Sequence, residues 1–549
     1  MYRVRLMERF AFSLLAIAWS ALAAGACGNQ RSVPEARPGR NAPPAAVAPP
    51  RSATELIDRE VAAMWKQAHV TPAPDASDSE FIRRVTLDVA GRIPTASEVY
   101  AYLADRSVDK RAKLVDRLLA SDDYPVYWAE LFSDNLVGKV IRQSKKFISG
   151  YLDYLERCLR EGRGFDRMAR EMLAARGRMP DNGALGYLAS YKLRGGSLDT
   201  LAGNTARAFL GLQIQCAQCH DHPTDKQWKK EDYAAFRAFF GELRLPREDQ
   251  KMPWTTYTDD ASFGFVAHPE AKREIKRVAP RFLHQDTRPE QGESRRDVLA
   301  RMVVASPLFP RAAVGFTWDH LFGRGIVDPW DDLGSDNDPR QPRLLRELAD
   351  RYARAGYDHR WLVRSIVLSK AYGRSSIGGT APVDAAPNAL EVVFARAQVR
   401  PLNADQVLRA HLLATGVEDA TARGLQRWKE ERAKIQVWRQ YNHSFPDDEA
   451  AETDSFTGSV PQALLLRNGA LTNAGVRAVS GTLLARVREK SSDPARRLEW
   501  LFMTALGRPP DAAEKKEYLA FIAGRGDHAT AYEDLYHALL TSTEFITNH

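Results

Sequence analysis

The stretch that best indicates the fold reads LDVAGRIPTASE over residues 87–98, and MTALGRPPDAAE over residues 503–514 repeats its pattern. In both, a glycine ends one helix, a proline prevents its continuation, and a capping residue precedes a glutamate by three positions. The spacing predicts the same helix–turn–helix corner near each end of the chain. Its arginines, Arg92 and Arg508, are expected to bind carbonyls or a neighbouring carboxylate rather than a ligand.

Apolar residues recur at helical spacing through most of the chain, which predicts a mainly α protein with little β structure. The N-terminal helices are predicted at residues 55–68, 110–120, 125–137, 147–160 and 165–175. A further helix is predicted at 205–214. The C-terminal helices begin near Arg295 and are predicted at residues 312–321, 343–355, 359–372, 403–415, 461–466, 469–488, 495–506 and 512–523.

Composition divides the chain into five segments, two of which are helical domains. The segment between those domains contains scattered prolines and charges without a sustained period, and its only strand-like patch is at 266–269. We expect it to lie over the surface. The segments are a signal peptide (1–26), a disordered Pro-rich tether (27–51), an N-terminal helical domain (52–245), a connecting segment (246–294) and a C-terminal helical domain (295–549).

The first residues predict export from the cytoplasm. A basic start precedes an apolar run from Phe10 to Ala24, which is too short for a membrane-spanning helix of about 20 residues and ends in small residues. Cys27 then follows, at the position where bacterial lipoproteins are cleaved and lipidated, although Ala24 is a weak match to that signal. We expect a protein of the periplasm or cell envelope, either freely secreted or lipid-anchored at Cys27.

The formal net charge of +8 does not indicate a nucleic-acid partner. The basic residues are mostly arginines interleaved with acidic residues on helical faces, and no Lys/Arg block with interleaved aromatics occurs. We therefore expect no nucleic acid, and membrane contact only through lipidation.

One motif calls for a specific chemistry: CAQCHDHP over residues 216–223. C-x-x-C-H is the haem-attachment sequence of c-type cytochromes, in which two thiols bind the haem vinyl groups and the imidazole ligates iron. The chain has four cysteines, and two of them lie here. Cys216, Cys219 and His220 are therefore the candidate haem c residues.

Two other uses of these atoms stay open. The cysteines could form a disulfide or a thioredoxin-like redox pair, although the preceding residues predict a helix rather than a strand. Alternatively Cys216, Cys219, His220 and His222 could bind zinc or another transition metal, with Asp225 or Asp232 as an added ligand or an orienting carboxylate. His222 has no role in a cytochrome, so it favours this alternative.

A haem would need a second axial ligand or an open face. The candidates that sequence offers are Met252, His268, His284 and His320. His320 also lies near a run of aspartates that could bind Ca²⁺, but their spacing is not that of an EF-hand, and a solvated acidic loop is the simpler interpretation. These aspartates are Asp319, Asp328, Asp331, Asp332, Asp336 and Asp338.

Residues 81–95 and 209–223 together resemble the planctomycete-type cytochrome-like (PSCyt-type) domain of unknown function. The C-terminal half is similar to its usual companion, the PSD-type domain of unknown function. The companion's matching stretches are 321–327, 345–349 with 356–358, 361–369, 460–466 and 544–546. The resemblance implies that Cys216 and Cys219 attach haem c and that His220 ligates its iron. It does not assign an activity to the protein. This sequence differs from the companion domain's pattern at Gly315-Phe316-Thr317, where that domain usually has an Asn-Arg pair.

Three functional hypotheses follow. The first is an exported electron-transfer protein with one haem c and an exported electron donor or acceptor as its partner. The second is a non-redox envelope scaffold that binds another exported protein and has a structural Cys/His metal site. The third is a metal-dependent hydrolase, which needs an open coordination position. Because the chain lacks the familiar catalytic motifs, whether it is an enzyme stays open.

Overall fold

The structure is a computed structural model of the whole chain. It describes residues 51–138, 145–178, 181–193, 198–244, 256–259, 278–285, 288–290, 292–334, 337, 339–416, 437, 439–441, 443–445, 459–526 and 528–549. The predicted signal peptide, nearly all of the tether and Cys27 lie outside these residues, as does the strand-like patch at 266–269. Those expectations stay predictions.

The N-terminal half is helical, as predicted. Its helices are α1 (Arg51–Gln67), α2 (Asp78–Ala90), α3 (Ala96–Ala104), α4 (Lys110–Leu119), α5 (Asp123–Val137), α6 (Lys145–Arg160), α7 (Phe165–Leu173), α8 (Leu185–Leu193), α9 (Leu198–Leu210) and α10 (Lys230–Arg237). Short 3₁₀ helices lie at Gln215–Gln218 and Ala238–Phe240.

The C-terminal half is helical as well. Its helices are α11 (Arg295–Ala305), α12 (Leu308–Phe322), α13 (Pro342–Arg354), α14 (His359–Val367), α15 (Ala389–Val392), α16 (Ala404–Thr415), α17 (Val460–Asn468), α18 (Ala470–Gly475), α19 (Leu483–Lys490), α20 (Pro494–Ala505), α21 (Ala512–Gly524) and α22 (Ala529–Leu540). The helix predicted at 469–488 is two helices, because the Thr482 hydroxyl caps a new one at α19.

Strands are few and short in the described residues, which confirms the mainly α fold. They are β1 (Gly177–Arg178), β2 (Leu243–Arg244), β3 (Thr256–Asp259), β4 (Arg400–Pro401) and β5 (Thr547–Asn548). β3 pairs antiparallel with both β1 and β2, and β4 pairs antiparallel with β5. None of these five strands was predicted, because two to four residues are too few to show a period in sequence.

Both predicted helix–turn–helix corners are present. Gly91 ends α2 with φ of +67°, a left-handed conformation that glycine adopts without strain, and a capping box starts α3. Arg92 donates to both Glu98 oxygens at 2.9 Å and to Asp123 at 2.7 Å. Arg508 makes the equivalent pairs with Glu514 and Glu544. The prediction that these arginines bind carboxylates is confirmed.

The helices of the two predicted domains share one hydrophobic core. α1 packs against α13 and α14, α7 against α11, and α9 against α12. Buried residues from both halves, such as Phe81, Trp128, Trp318 and Tyr352, belong to the same cluster. A second cluster is formed by buried residues of α16, α19, α20, α21 and α22. It also includes Leu87, near the end of α2. The halves therefore stabilise each other through burial of apolar surface.

Among the described residues, no single helix has the length and apolar character needed to cross a membrane. The pair α11 and α12, bent by 66°, meets those criteria only when the two are taken together.

Candidate functional site

The C-x-x-C-H motif follows the end of α9. The helix predicted to reach residue 214 stops at Leu210, because Gly211 has φ of +64° and the Leu212 amide turns back to the Ala206 carbonyl. A Cβ at position 211 would lie 2.8 Å from the Leu333 side chain. Glycine is therefore needed here both for the turn and for the approach of a loop from the C-terminal half.

Cys216 lies in the 3₁₀ helix Gln215–Gln218, and Cys219 is the C-cap residue of that helix. Ala217 is buried beneath it, whereas Cys216 and Cys219 are exposed free thiols. The end of this helix therefore presents both thiols to solvent.

His220 has one ring nitrogen engaged and one available. Its Nδ1 lies 2.7 Å from the Asp221 carbonyl oxygen, so the ring donates from Nδ1, and the neutral form of this ring has its lone pair on Nε2. Within the described residues Nε2 makes no hydrogen bond. Metal-ligating histidines typically donate their other ring N–H to a carbonyl or carboxylate in this way.

His222 is held differently. The Asp225 amide donates to its Nδ1 at 3.0 Å, so the proton lies on Nε2, which donates to the Gln213 carbonyl at 3.0 Å. The His222 amide also donates to the Trp228 carbonyl at 2.9 Å. Both ring nitrogens are used to close the loop. We call residues 216–228 the motif turn.

The two carboxylates predicted near the motif are engaged in other contacts. Asp225 is buried and accepts the Gln227 amide at 3.3 Å. Asp232 accepts the Lys229 amide, pairs with Arg281 and lies 3.4 Å from His284. Within the described part of the chain, no three metal-ligating side chains are gathered around one point.

Among the other ligand candidates, His320 lies in the shared core. Its ring packs on Tyr127 and Trp128, and its Nε2 lies 3.3 Å from the Tyr127 hydroxyl. Burial lowers the pKa of His320 to about 3. Met252 and His268 lie outside the described residues, and His284 lies beside the motif turn.

The aspartate run does not form a cation site in the described residues. Asp328 pairs with Arg324 and Arg340, and Asp331 pairs with Arg207. Burial, with Asp328 nearby, raises the pKa of Asp319 to about 7. The Asp332 carbonyl accepts from Asn337, and Asp336 and Asp338 lie outside the described residues.

Sequence reasoning missed a buried cluster of charges where the two halves meet. Arg83, Arg84 and Asp88 of α2, together with Arg400 of β4, form what we call the buried junction. Arg400 donates to both Asp88 oxygens at 2.9 and 3.0 Å. Arg83 donates to four backbone carbonyls between residues 505 and 547. Charged residues inside the apolar run of α2 were the available signal, because buried charges need partners.

Comparison with known families matches both halves of the chain. Residues 56–244 match PSCyt2 (Protein of unknown function, DUF1549), and residues 295–522 match PSD1 (Protein of unknown function, DUF1553). The chain is a PSCyt2–PSD1 protein. The order of the two domains agrees with the resemblance seen in sequence. No curated protein matches the chain, and neither does any solved structure.

The PSD1 region holds the loop that precedes the PSCyt2 motif. Asp331 accepts from the Gln213 side chain at 2.8 Å and pairs with Arg207 of α9 at 3.0 Å. The Leu333 amide donates to the Gly211 carbonyl at 2.6 Å. Since the Gln213 carbonyl also binds His222, PSD1 contributes to the shape of the motif turn.

Proposed function

We propose that this PSCyt2–PSD1 protein is an exported cell-envelope protein that binds one haem c covalently and exchanges electrons with an exported partner. Cys216 and Cys219 would form the thioether bonds, and His220 would ligate the iron. When bound, haem supplies a one-electron iron couple. The protein's part is to present the thiols, fix the imidazole and keep the turn in place.

The observation that supports this proposal is the difference between two histidines. His220 keeps Nε2 without a hydrogen bond in the described residues, beside two exposed free thiols, and this is the donor set that haem c requires. His222 uses both ring nitrogens inside the loop. A four-ligand zinc site would need His222 to give up one of those bonds, which makes zinc the weaker fit.

The test is expression of the full chain with an export signal and haem-maturation machinery. We expect a pyridine haemochrome spectrum and haem that stays with the chain after denaturation. Cys216→Ala/Cys219→Ala should abolish attachment. Cys158→Ala is the matched control, because Cys158 is buried and lies outside the motif, and it should retain haem.

His222→Ala separates haem from zinc. A haem protein should keep its haem in this variant, because His222 only closes the loop. Colourless wild-type protein with one zinc per chain, and loss of that zinc in His222→Ala, would contradict the proposal and support the structural metal site.

A further inference from the structure

The backbone is unusual at Leu283 and His284, in the segment between the two domains. Both residues have left-handed φ values, +42° and +63°, and neither is a glycine. Side chains disfavour this conformation, and consecutive cases persist only where surrounding contacts hold them. Here the conformation places the His284 ring on the ring of Trp228, with centroids 4.6 Å apart.

His284 lies beside a carboxylate. Its Nδ1 lies 3.4 Å from Asp232 Oδ1, and Arg281 pairs with the same oxygen. Within the described residues the His284 Nε2 makes no hydrogen bond, and 38% of the side chain is exposed. A carboxylate beside one ring nitrogen, with the other nitrogen not hydrogen-bonded in the described residues, resembles the surroundings of metal-ligating histidines.

His284 belongs to the surroundings of the motif turn. The Trp228 carbonyl accepts the His222 amide, so the residue on which His284 packs also closes the loop after C-x-x-C-H. Asp232, which lies 3.4 Å from His284 Nδ1, accepts the Lys229 amide. The Lys229 side chain in turn pairs at 3.0 Å with Asp221, whose carbonyl accepts from His220. Polar contacts through Asp232, Lys229 and Asp221 thus connect the two histidines.

The other described histidines considered as ligands are already occupied. His222 uses both nitrogens in the loop, and His320 lies among aromatic rings in the shared core. We propose that His284 would supply a second ligand to a haem iron held by His220, an assignment that rests on the proposed function. Its Nε2 would be the ligating atom, and no electron or proton would need to be transferred for it to bind.

The test uses the haem-loaded full chain and its absorption and electron paramagnetic resonance spectra. Wild type should be six-coordinate and low-spin. His284→Ala should become high-spin and bind added imidazole, which restores the low-spin spectrum. His69→Ala is the matched control, because His69 also has a left-handed φ of +52° and is exposed, and its spectrum should equal that of wild type.

The outcomes separate the two proposals. Wild type without haem overturns both. Wild type with haem but a high-spin spectrum, or a low-spin spectrum that persists unchanged in His284→Ala, overturns only the assignment of His284.

Two further variants test the assignment if His284→Ala folds poorly. His284→Met should replace the imidazole by a thioether and introduce the absorption of a sulfur–iron bond, so an unchanged spectrum contradicts the assignment. Asp232→Asn should loosen the ligand and raise the affinity of the ferric protein for added imidazole about tenfold. An affinity equal to that of wild type counts against the orienting role of Asp232.

Discussion

The buried junction and the motif turn use their polar groups in opposite ways. At the junction Arg83 is fully buried, and its guanidinium donates to four carbonyls. At the motif turn two thiols are exposed, and the Nε2 of His220 makes no hydrogen bond in the described residues. Polar groups that are buried and partnered stabilise the fold. Polar groups that are exposed and have no hydrogen-bond partner among the described residues are available to a ligand.

The largest expected contrast concerns thiol reactivity in protein made without haem. Cys216 and Cys219 are exposed, whereas Cys158 is fully buried and burial raises its pKa to about 11. We expect alkylation of the exposed pair to be at least about a thousandfold faster, since Cys158 must wait for the core to open. Mass spectrometry of labelled peptides over time measures the ratio. In denaturant the rates should converge, and a fast reaction of Cys158 in native protein would contradict the burial.

The second largest effect is expected when Arg83 is removed from the buried junction. Arg83→Ala leaves several buried carbonyls without donors and creates a cavity, so we expect the free energy of unfolding to fall by about 4 kcal/mol. Chemical denaturation measures it. Arg59→Ala is the control: its side chain is 54% exposed, and the change should stay within about 0.5 kcal/mol. If the free energy of unfolding falls by similar amounts in the two variants, the expected difference between the buried junction and the surface is wrong.

The two corners should differ although their sequences match. The Arg92 side chain is 11% exposed and the Arg508 side chain 27% exposed. We expect Arg92→Ala to cost about 3 kcal/mol because it leaves carboxylates unpaired in a more buried place, and Arg508→Ala to cost about 1 kcal/mol. The same denaturation curves measure both. An equal or larger loss at Arg508 would show that local pattern, not burial, sets the contribution.

Acid should weaken the first corner. Burial disfavours the Glu98 carboxylate, but its hydrogen bonds to Arg92 lower the pKa to about 2, below its ordinary value of 4.5. The folded state therefore holds the proton less tightly than the unfolded state. The Glu98 contribution is fully present above pH 4.5 and is lost as the pH falls towards 2. Glu98→Gln should flatten this part of the stability–pH curve, and an unchanged slope would contradict the pairing.

The smallest effect is expected inside the motif turn. His222→Ala removes the loop hydrogen bonds of both ring nitrogens at a partly exposed position, so we expect a loss of about 1 kcal/mol. His220→Ala removes one local bond at an exposed position and should leave stability unchanged within about 0.5 kcal/mol. Thermal unfolding of the haem-free variants compares them. A larger loss for His220→Ala would mean that its imidazole serves the fold rather than a ligand.

Much of the fold could be predicted from sequence because its signals are local. The glycine, proline and capping glutamate of each corner act within twelve residues, and the periodic helices match the structure closely. The end of α9 could not be placed from its apolar spacing, since that spacing continues past Gly211. The buried junction was missed because Arg83 binds carbonyls more than 400 residues away in sequence.

By itself, the sequence determined the helical class, the two corners and the position of two thiols beside an imidazole, since each depends on neighbours along the chain. It also placed the two family segments in order. Only the tertiary structure decided which histidine keeps a nitrogen available. That choice depends on the Gln213 carbonyl, whose loop is held by Asp331 and Leu333 from the other half of the chain. Contacts over such separations follow from packing, which no local pattern encodes.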